Sequence, residues 1–128
     1  MKIFGFEDSD IWNEARELSR LVFRLTSNGS FSKEFRFRDQ IRASSGSVMD
    51  NIAEGFGRGG NKELINFLSI SRGSNEETRS QAYRAFDYEY ISKEELEDLL
   101  SKTETISKRI TSLIQYLKQA DFKGPKYK

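Results

Sequence analysis

Residues 40–58 read QIRASSGSVMDNIAEGFGR and combine an apolar helical repeat with a glycine-rich end. Within them, Ile41, Val48 and Ile52 recur at helical steps, which place apolar side chains on one face of an α-helix. Gly55 and Gly57 follow, and glycines at such a position indicate the end of a helix and a turn. The stretch therefore predicts a long helix with one buried face and a flexible connection to the next helix.

The helix around this stretch is predicted to run from near Ser32 to Phe56. Its inward-facing positions are Phe37, Ile41, Ser45, Val48, Ile52 and Phe56. Residues 44–47 (SSGS) make its middle slim, although a glycine such as Gly46 costs about 1 kcal/mol relative to alanine inside a helix. We interpret the presence of glycine, in spite of this cost, as a requirement of the close approach of a neighbouring helix.

Three further helices are predicted from the same periodicity. The first runs from about Ser9 to Thr26, with Asp8 or Ser9 as its cap. The third runs from its cap Asn61 to about Tyr88, and its polar middle, residues 71–78, either hydrogen-bonds to another helix or faces water. The fourth begins with a capping box of the Ser-x-x-Glu type at residues 92–95 and carries a heptad seam. The seam comprises Leu96, Leu99, Thr103, Ile106, Ile110, Leu113 and Leu117.

Four helices with apolar stripes and short connections predict an all-α protein, an antiparallel up-down-up-down four-helix bundle. A chain of 128 residues is of the size of a single domain, so one domain is expected over residues 1–128. Gly124 and Pro125 predict the end of regular structure, and residues from about 119 to 128 are expected to form a disordered or extended basic tail.

Composition excludes several classes of function. The chain contains neither histidine nor cysteine, so it has no disulfide, no Cys-built zinc site and no Ser–His or Cys–His catalysis. We therefore predict no catalytic residue, cofactor or metal. The net charge of +1 lacks the basic excess of dedicated duplex-DNA binders. No apolar run approaches the ~18 residues of a membrane span, which predicts a cytoplasmic protein without a membrane partner.

Several motifs carry a family resemblance over about residues 6–118. They include Phe6-Glu7-Asp8, Ile11-Trp12, Gln40-Ile41-Arg42 and the run from Asn51 to Arg58, NIAEGFGR. The chain resembles the small four-helix bundle proteins that are encoded in intervening sequences of bacterial 23S ribosomal RNA genes. It differs from them at Met49, where the family often has proline, and at Asn75, where leucine is usual.

The resemblance implies a four-helix bundle, often assembled as a homopentameric ring, without established catalysis. The chain is also similar to accessory proteins of diversity-generating retroelements, which are basic pentamers associated with nucleic-acid binding. Together, these resemblances imply that the chain is a homo-oligomer, with the pentamer favoured, and that it binds structured RNA or an RNA–protein assembly. The alternative is a protein-interaction scaffold with no nucleic-acid role, which the balanced charge favours.

Basic side chains on and after the second helix are the candidate phosphate contacts. They are Arg36, Arg38, Arg42, Arg58 and Lys62. We interpret the first three as one edge of the helix, and the interleaved Phe31, Phe35 and Phe37 as rings that stack on exposed bases. The alternative interpretation is a solvated face beside core aromatics.

The end of the second helix is the other candidate site. Asn51, Glu54 and Arg58 lie at helical spacing on one side, where they either contact a polar ligand or RNA, or form a capping and salt-bridge cluster. Together with Gly55 and Gly57, Asn51 and Glu54 are predicted to shape the loop. The loop lacks the spacing of a P-loop, so it is either a plain helix connection or an anion site at the start of the third helix.

Apolar residues outside the main stripes are the candidate contacts between subunits. They are Leu100, Ile114, Tyr116, Ile65 and Ile70. Such contacts would form a ring if the head-to-tail rotation closes.

Overall fold

The computed structural model describes residues 5–123, which form four α-helices and two short 3₁₀ helices. The α-helices are α1 (Asp10–Thr26), α2 (Phe35–Gly57), α3 (Asn61–Asp87) and α4 (Lys93–Lys123). The 3₁₀ helices, Phe6–Asp8 and Gly29–Lys33, precede α1 and α2. Residues 5–123 contain no β-strand, and the predicted all-α fold is confirmed.

The helices pack side by side around one core, each touching the next along the chain, while α1 also touches α4. Between α2 and α3, rising residue numbers on one helix meet falling numbers on the other. The Ser44 hydroxyl donates to Gln81 Oε1 at 2.6 Å, and the Ser47 and Ser74 hydroxyls lie 2.9 Å apart. These pairs are consistent with the predicted antiparallel up-down-up-down arrangement.

The core contains buried apolar side chains from all four helices. The seam of α4 is buried at six of its seven predicted positions, including Thr103, which is 0% exposed. Its last turns deviate, because Ile114 is 4% exposed whereas Leu113 is only partly buried. A straight α-helix drifts by ~20° per heptad from a strict seven-residue repeat, which brings the neighbouring position inward.

Local hydrogen bonds set two of the helix starts as predicted. Ser9 is the N-cap of α1, where its Oγ accepts from the Trp12 amide at 3.5 Å. At the start of α4, the Ser92 amide donates to Glu95 Oε1 at 2.8 Å and the Glu95 amide donates to Ser92 Oγ at 3.1 Å. The capping box is therefore confirmed. At α3 the cap is Gly60, one residue before the predicted Asn61.

Helix α2 begins at Phe35 and not near Ser32, because Gly29–Lys33 closes into a 3₁₀ helix first. Phe56 was predicted to face inward, but it is 37% exposed. The buried position at this end of α2 is Gly55.

The slim middle of α2 does contact α3 through Ser44 and Ser47, but Gly46 itself takes no part in that contact. A Cβ atom added at Gly46 would meet no atom within 4 Å. A Cβ atom added at Gly55 would lie 2.9 Å from Phe67 Cβ and 3.0 Å from Leu64 Cδ1. Gly55 is therefore the residue that lets α2 and α3 come together.

The polar middle of α3 hydrogen-bonds to the neighbouring helices, which was the first of its two interpretations. The Ser71 hydroxyl donates to the Val48 carbonyl at 2.7 Å, and Asn75 Nδ2 donates to the Thr103 carbonyl at 2.7 Å. Asn75 is 0% exposed, and its Oδ1 has no hydrogen-bond partner in the described structure. This helix therefore carries a buried polar layer with one unsatisfied acceptor.

Helix α4 continues to Lys123, so the expected tail can begin no earlier than residue 124. Residues 124–128, with the predicted stop at Gly124 and Pro125, lie outside the described residues. Within residues 5–123, no helix is long and apolar enough to cross a membrane.

Candidate nucleic-acid interface

Positive charge is concentrated on α1 and α2. Between Glu17 and Asp50 the chain carries six basic and two acidic side chains, a net charge of +4 in a chain whose total is +1. The basic residues are Arg20, Arg24, Lys33, Arg36, Arg38 and Arg42, and the acidic ones are Glu34 and Asp39. Hydrogen bonds from Arg42 to Thr26 and Ser27 bring the end of α1 beside the first half of α2, so much of this excess lies at one end of the bundle.

Arg42 joins α2 to the C-terminal end of α1. Its Nε donates to Thr26 Oγ1 at 2.7 Å, and its Nη2 donates to Ser27 Oγ at 3.1 Å. Its guanidinium lies 4.5 Å from the centre of the Phe23 ring, and Phe23 is 58% exposed. A cation at this place also complements the partial negative charge of the C-terminus of α1. Arg42 is thus held in one orientation beside an exposed ring.

Arg38 repeats this arrangement one turn earlier. Its Nη1 donates to the Ser32 carbonyl at 3.1 Å, and its Nε donates to Asp39 Oδ1 at 3.0 Å. Its guanidinium lies 4.9 Å from the centre of the Phe35 ring, and Phe35 is 64% exposed. We refer to Phe23, Phe35, Arg38 and Arg42 as the arginine–aromatic edge.

Arg36 does not belong to this edge. At 100° per residue, it lies about 200° around α2 from Arg38, so a spacing of two places them on different sides. Arg36 is exposed, and no hydrogen bond or ion pair links it to another described residue. The single edge predicted from Arg36, Arg38 and Arg42 is therefore wrong.

Arg58 and Lys62 lie at the other end of α2. Arg58 is twenty residues beyond Arg38, which corresponds to about 30 Å along a helix. Its Nε forms a 2.9 Å salt bridge with Glu54 Oε2, and its guanidinium lies 5.1 Å from the centre of the Phe67 ring. Lys62 is exposed, and the described structure contains no hydrogen bond or ion pair for it. The five predicted basic residues therefore do not form one continuous surface.

The loop-shaping residues also divide. Asn51 Nδ2 donates to the carbonyl and to the hydroxyl of Ser47, both at 2.9 Å, so Asn51 does not join the pair of Glu54 and Arg58. The salt-bridge interpretation holds for Glu54 and Arg58 themselves. Among the loop glycines, Gly59 has a φ of 85°, the left-handed region that glycine adopts most easily.

Two of the three aromatic residues predicted to stack on bases are core residues. Phe31 is 2% exposed and Phe37 is 8% exposed, which leaves Phe35 accessible. Phe23 was not predicted to be a site residue. The sequence nevertheless indicates that this ring is exposed, because Phe23 follows Val22 immediately and so lies off the inward-facing stripe of the first helix.

More aromatic side chains lie at the same end of the bundle. Tyr88 is 57% exposed and meets the edge of Phe37 at a centroid distance of 6.2 Å, while the Arg84 guanidinium lies 4.2 Å from the Phe37 ring. Partial burial, and then the negative charge of Glu34, raises the pKa of Tyr90 above its usual value.

The candidate subunit contacts are only partly accessible. Ile114 is a core residue, which corrects its assignment to an outer face, and Leu100 and Ile65 pack partly buried against the core. Ile70 and Tyr116 are 46% and 66% exposed and remain candidates.

A groove of about 550 Å³ separates α1 from α4 and is polar. Across it, Arg109 Nε contacts Glu14 Oε2 at 3.0 Å. No group of three or more acidic side chains that could hold a metal ion occurs among the described residues. Arg109 also lies 3.9 Å from Asp10 Oδ2, so ion pairs between α4 and α1 cross the groove.

The sequence matches a known protein family, and the fold matches a solved structure. The profile of the 23S rRNA-intervening sequence protein family matches residues 7–112. The crystal structure of a protein of unknown function from the S23 ribosomal protein family of Bacteroides thetaiotaomicron VPI-5482 is similar, with a TM-score of 0.75 and 26% sequence identity. The similarity covers 82% of this chain and 95% of that one. No curated protein matches the sequence.

Proposed function

Because this chain belongs to the 23S rRNA-intervening sequence protein family, we propose that it is a non-catalytic, homo-oligomeric module that binds structured RNA or an RNA–protein assembly. The observation that carries the proposal is the net charge of +4 between Glu17 and Asp50, in a chain that is otherwise slightly acidic. Such a local excess attracts a polyanion by neutralising phosphates and releasing counterions.

The arginines of this region keep donors for phosphate. A guanidinium has five N–H donors, and Arg38 and Arg42 each use two of them within the described structure. The remaining donors suit phosphate oxygens, which guanidinium groups bind in charge-assisted hydrogen bonds. Arg36 adds an exposed charge on a different side of α2.

Arg58 and Lys62 would contact a second part of the same RNA, because they lie at the other end of α2. Asn51, Glu54, Gly55 and Gly57 would then shape this second surface without themselves reading the RNA. A non-catalytic role is supported by composition, since the chain has neither histidine nor cysteine.

The test is fluorescence anisotropy of a labelled structured RNA, titrated over a range of salt concentrations. Arg36→Glu and Lys62→Glu reverse exposed charges that have no structural partner among the described residues, so both variants should fold normally. Each is expected to weaken binding and to reduce the slope of log K against log salt by about one for each phosphate that the protein no longer neutralises. Lys108→Glu is the control for the same change of net charge, because Lys108 is exposed on α4 and its 3.2 Å ion pair with Glu104 is also exposed.

Two results would overturn this proposal. One is the absence of RNA binding by the wild-type protein even at low salt. The other is an affinity that the reversals of Arg36 and Lys62 leave equal to that of the Lys108 control.

A protein-interaction scaffold without a nucleic-acid role is the second candidate. The overall charge of +1 favours it, and so do the exposed apolar side chains Ile70 and Tyr116. Light scattering of the purified protein tests the expected assembly, since a pentamer would have five times the 14.8 kDa mass of one chain.

A further inference from the structure

Phe23 and Phe35 are exposed, although phenylalanine side chains are usually buried in a hydrophobic core. They are 58% and 64% exposed, and both lie outside the hydrophobic core. Each ring has a guanidinium near one face, at 4.5 Å for Phe23 and 4.9 Å for Phe35. Since more than half of each side chain still meets solvent, the arginine covers only part of each ring and leaves aromatic surface open.

The two guanidinium groups are oriented by the chain itself. Hydrogen bonds to Thr26 and Ser27 fix Arg42, and one to the Ser32 carbonyl fixes Arg38. Side chains that are already ordered lose less conformational entropy when they bind a partner. The arginine–aromatic edge is therefore a preorganised surface of rings and cations, formed by two successive turns of α2 and by Phe23 of α1.

This combination suits unpaired nucleotides. A base stacks on an aromatic face whatever its identity, while an adjacent guanidinium contacts the backbone phosphate. A duplex keeps its bases stacked inside and offers only phosphates to such a surface. A neutral proline-rich peptide could pack on the rings, but it would not be attracted by the local net charge of +4.

We propose that the arginine–aromatic edge binds unpaired RNA nucleotides, with bases stacking on Phe23 and Phe35 and phosphates contacting Arg42 and Arg38. This inference rests on the proposed RNA-binding function and adds to it the kind of RNA that is recognised. Arg38 and Arg42 lie one helical turn apart, about 6 Å along α2, so the edge takes a short run of nucleotides.

The experiment compares a single-stranded pyrimidine RNA with a blunt RNA duplex of the same length, by anisotropy at one salt concentration. Phe23→Leu and Phe35→Leu remove the aromatic face but keep an apolar side chain. Phe86→Leu is the matched control, because Phe86 is 37% exposed at the same end of the bundle and has no guanidinium over its ring in the described structure.

The wild-type protein is expected to bind the single strand more tightly than the duplex. Each variant of the edge should weaken single-strand binding about five- to hundred-fold, the range of base–aromatic stacking, and leave duplex binding unchanged. Circular dichroism and thermal melting check the fold, which both substitutions should preserve because the two rings are exposed.

The outcomes separate the two proposals. If the wild-type protein binds neither RNA, the proposed function itself fails. If it binds RNA and Arg36→Glu weakens that binding, but Phe23→Leu and Phe35→Leu behave like Phe86→Leu, RNA binding stands and the stacking edge is refuted. Binding of a proline-rich peptide that depends on the two rings, with no preference for single-stranded RNA, would also refute it.

Discussion

Substituting Gly55 with alanine tests the packing of α2 against α3. A Cβ atom there would lie 2.9 Å from Phe67 Cβ, 3.0 Å from Leu64 Cδ1 and 3.5 Å from Leu64 Cα. Carbon atoms in favourable contact are about 3.5–4.0 Å apart. Phe67 Cβ is attached directly to the backbone of α3, so no side-chain rotation relieves that contact. The two helices must therefore separate by roughly 0.5–1 Å at this point.

The cost follows from two opposing terms. Overpacking of a well-packed interior costs about 1–3 kcal/mol, and the upper half applies because a backbone-linked atom must move. The higher helix propensity of alanine offsets at most about 1 kcal/mol of this cost. We expect Gly55→Ala to lower the free energy of unfolding by about 2 kcal/mol, which corresponds to roughly 6–10 °C in Tm for a chain of this length.

The assay is urea unfolding followed by far-UV circular dichroism at one protein concentration, because assembly would make stability depend on concentration. Gly46→Ala and Gly57→Ala are matched controls, since a Cβ at either position would meet nothing within 4 Å. Gly46→Ala should raise stability by about 1 kcal/mol, and Gly57→Ala by less because it is the last residue of α2. A Gly55→Ala protein as stable as these controls would refute the close approach of α2 and α3.

Three further substitutions test other parts of the structure by the same unfolding measurement. Asn75→Leu should stabilise the protein by about 1 kcal/mol, because removing the buried Oδ1 that has no partner in the described structure and burying an apolar side chain of similar shape outweigh the loss of the 2.7 Å hydrogen bond to the Thr103 carbonyl; a lower urea midpoint would contradict this. Arg42→Met should destabilise by about 1 kcal/mol because the hydrogen bonds to the end of α1 are removed, whereas Arg36→Met should change stability by less than about 0.5 kcal/mol; equal effects would be evidence against that role. Ser92→Ala should cost about 1 kcal/mol by removing the capping box of α4, and an unchanged midpoint would mean that the box adds nothing.

Features that depend on local sequence were predicted well. The first helix begins after its Ser9 cap, and the Ser92 capping box forms with both of its hydrogen bonds. Most of the α4 seam is buried at the predicted positions. Caps and apolar periodicity involve residues three or four apart, so the neighbouring sequence contains all the information that they need.

The candidate site was predicted less well, because its contacts join residues that are far apart in the chain. Arg42 lies against Phe23 and Thr26 of a different helix, and no spacing rule links these positions. Arg36 and Arg38 are near in sequence but lie on different sides of α2. Phe31 and Phe37 were predicted from the sequence to stack on bases, but both side chains are buried in the core.

The sequence alone therefore determined the class of fold, the four helices and the starts of α1 and α4, since these follow from periodicity and local hydrogen bonding. Only the tertiary structure decided which glycine is needed for packing, Gly55 and not Gly46, because that depends on which glycine lies against α3. It also decided which rings stay exposed and which arginines are fixed beside them. Both outcomes depend on how helix faces pair, which the pattern of a single helix does not contain.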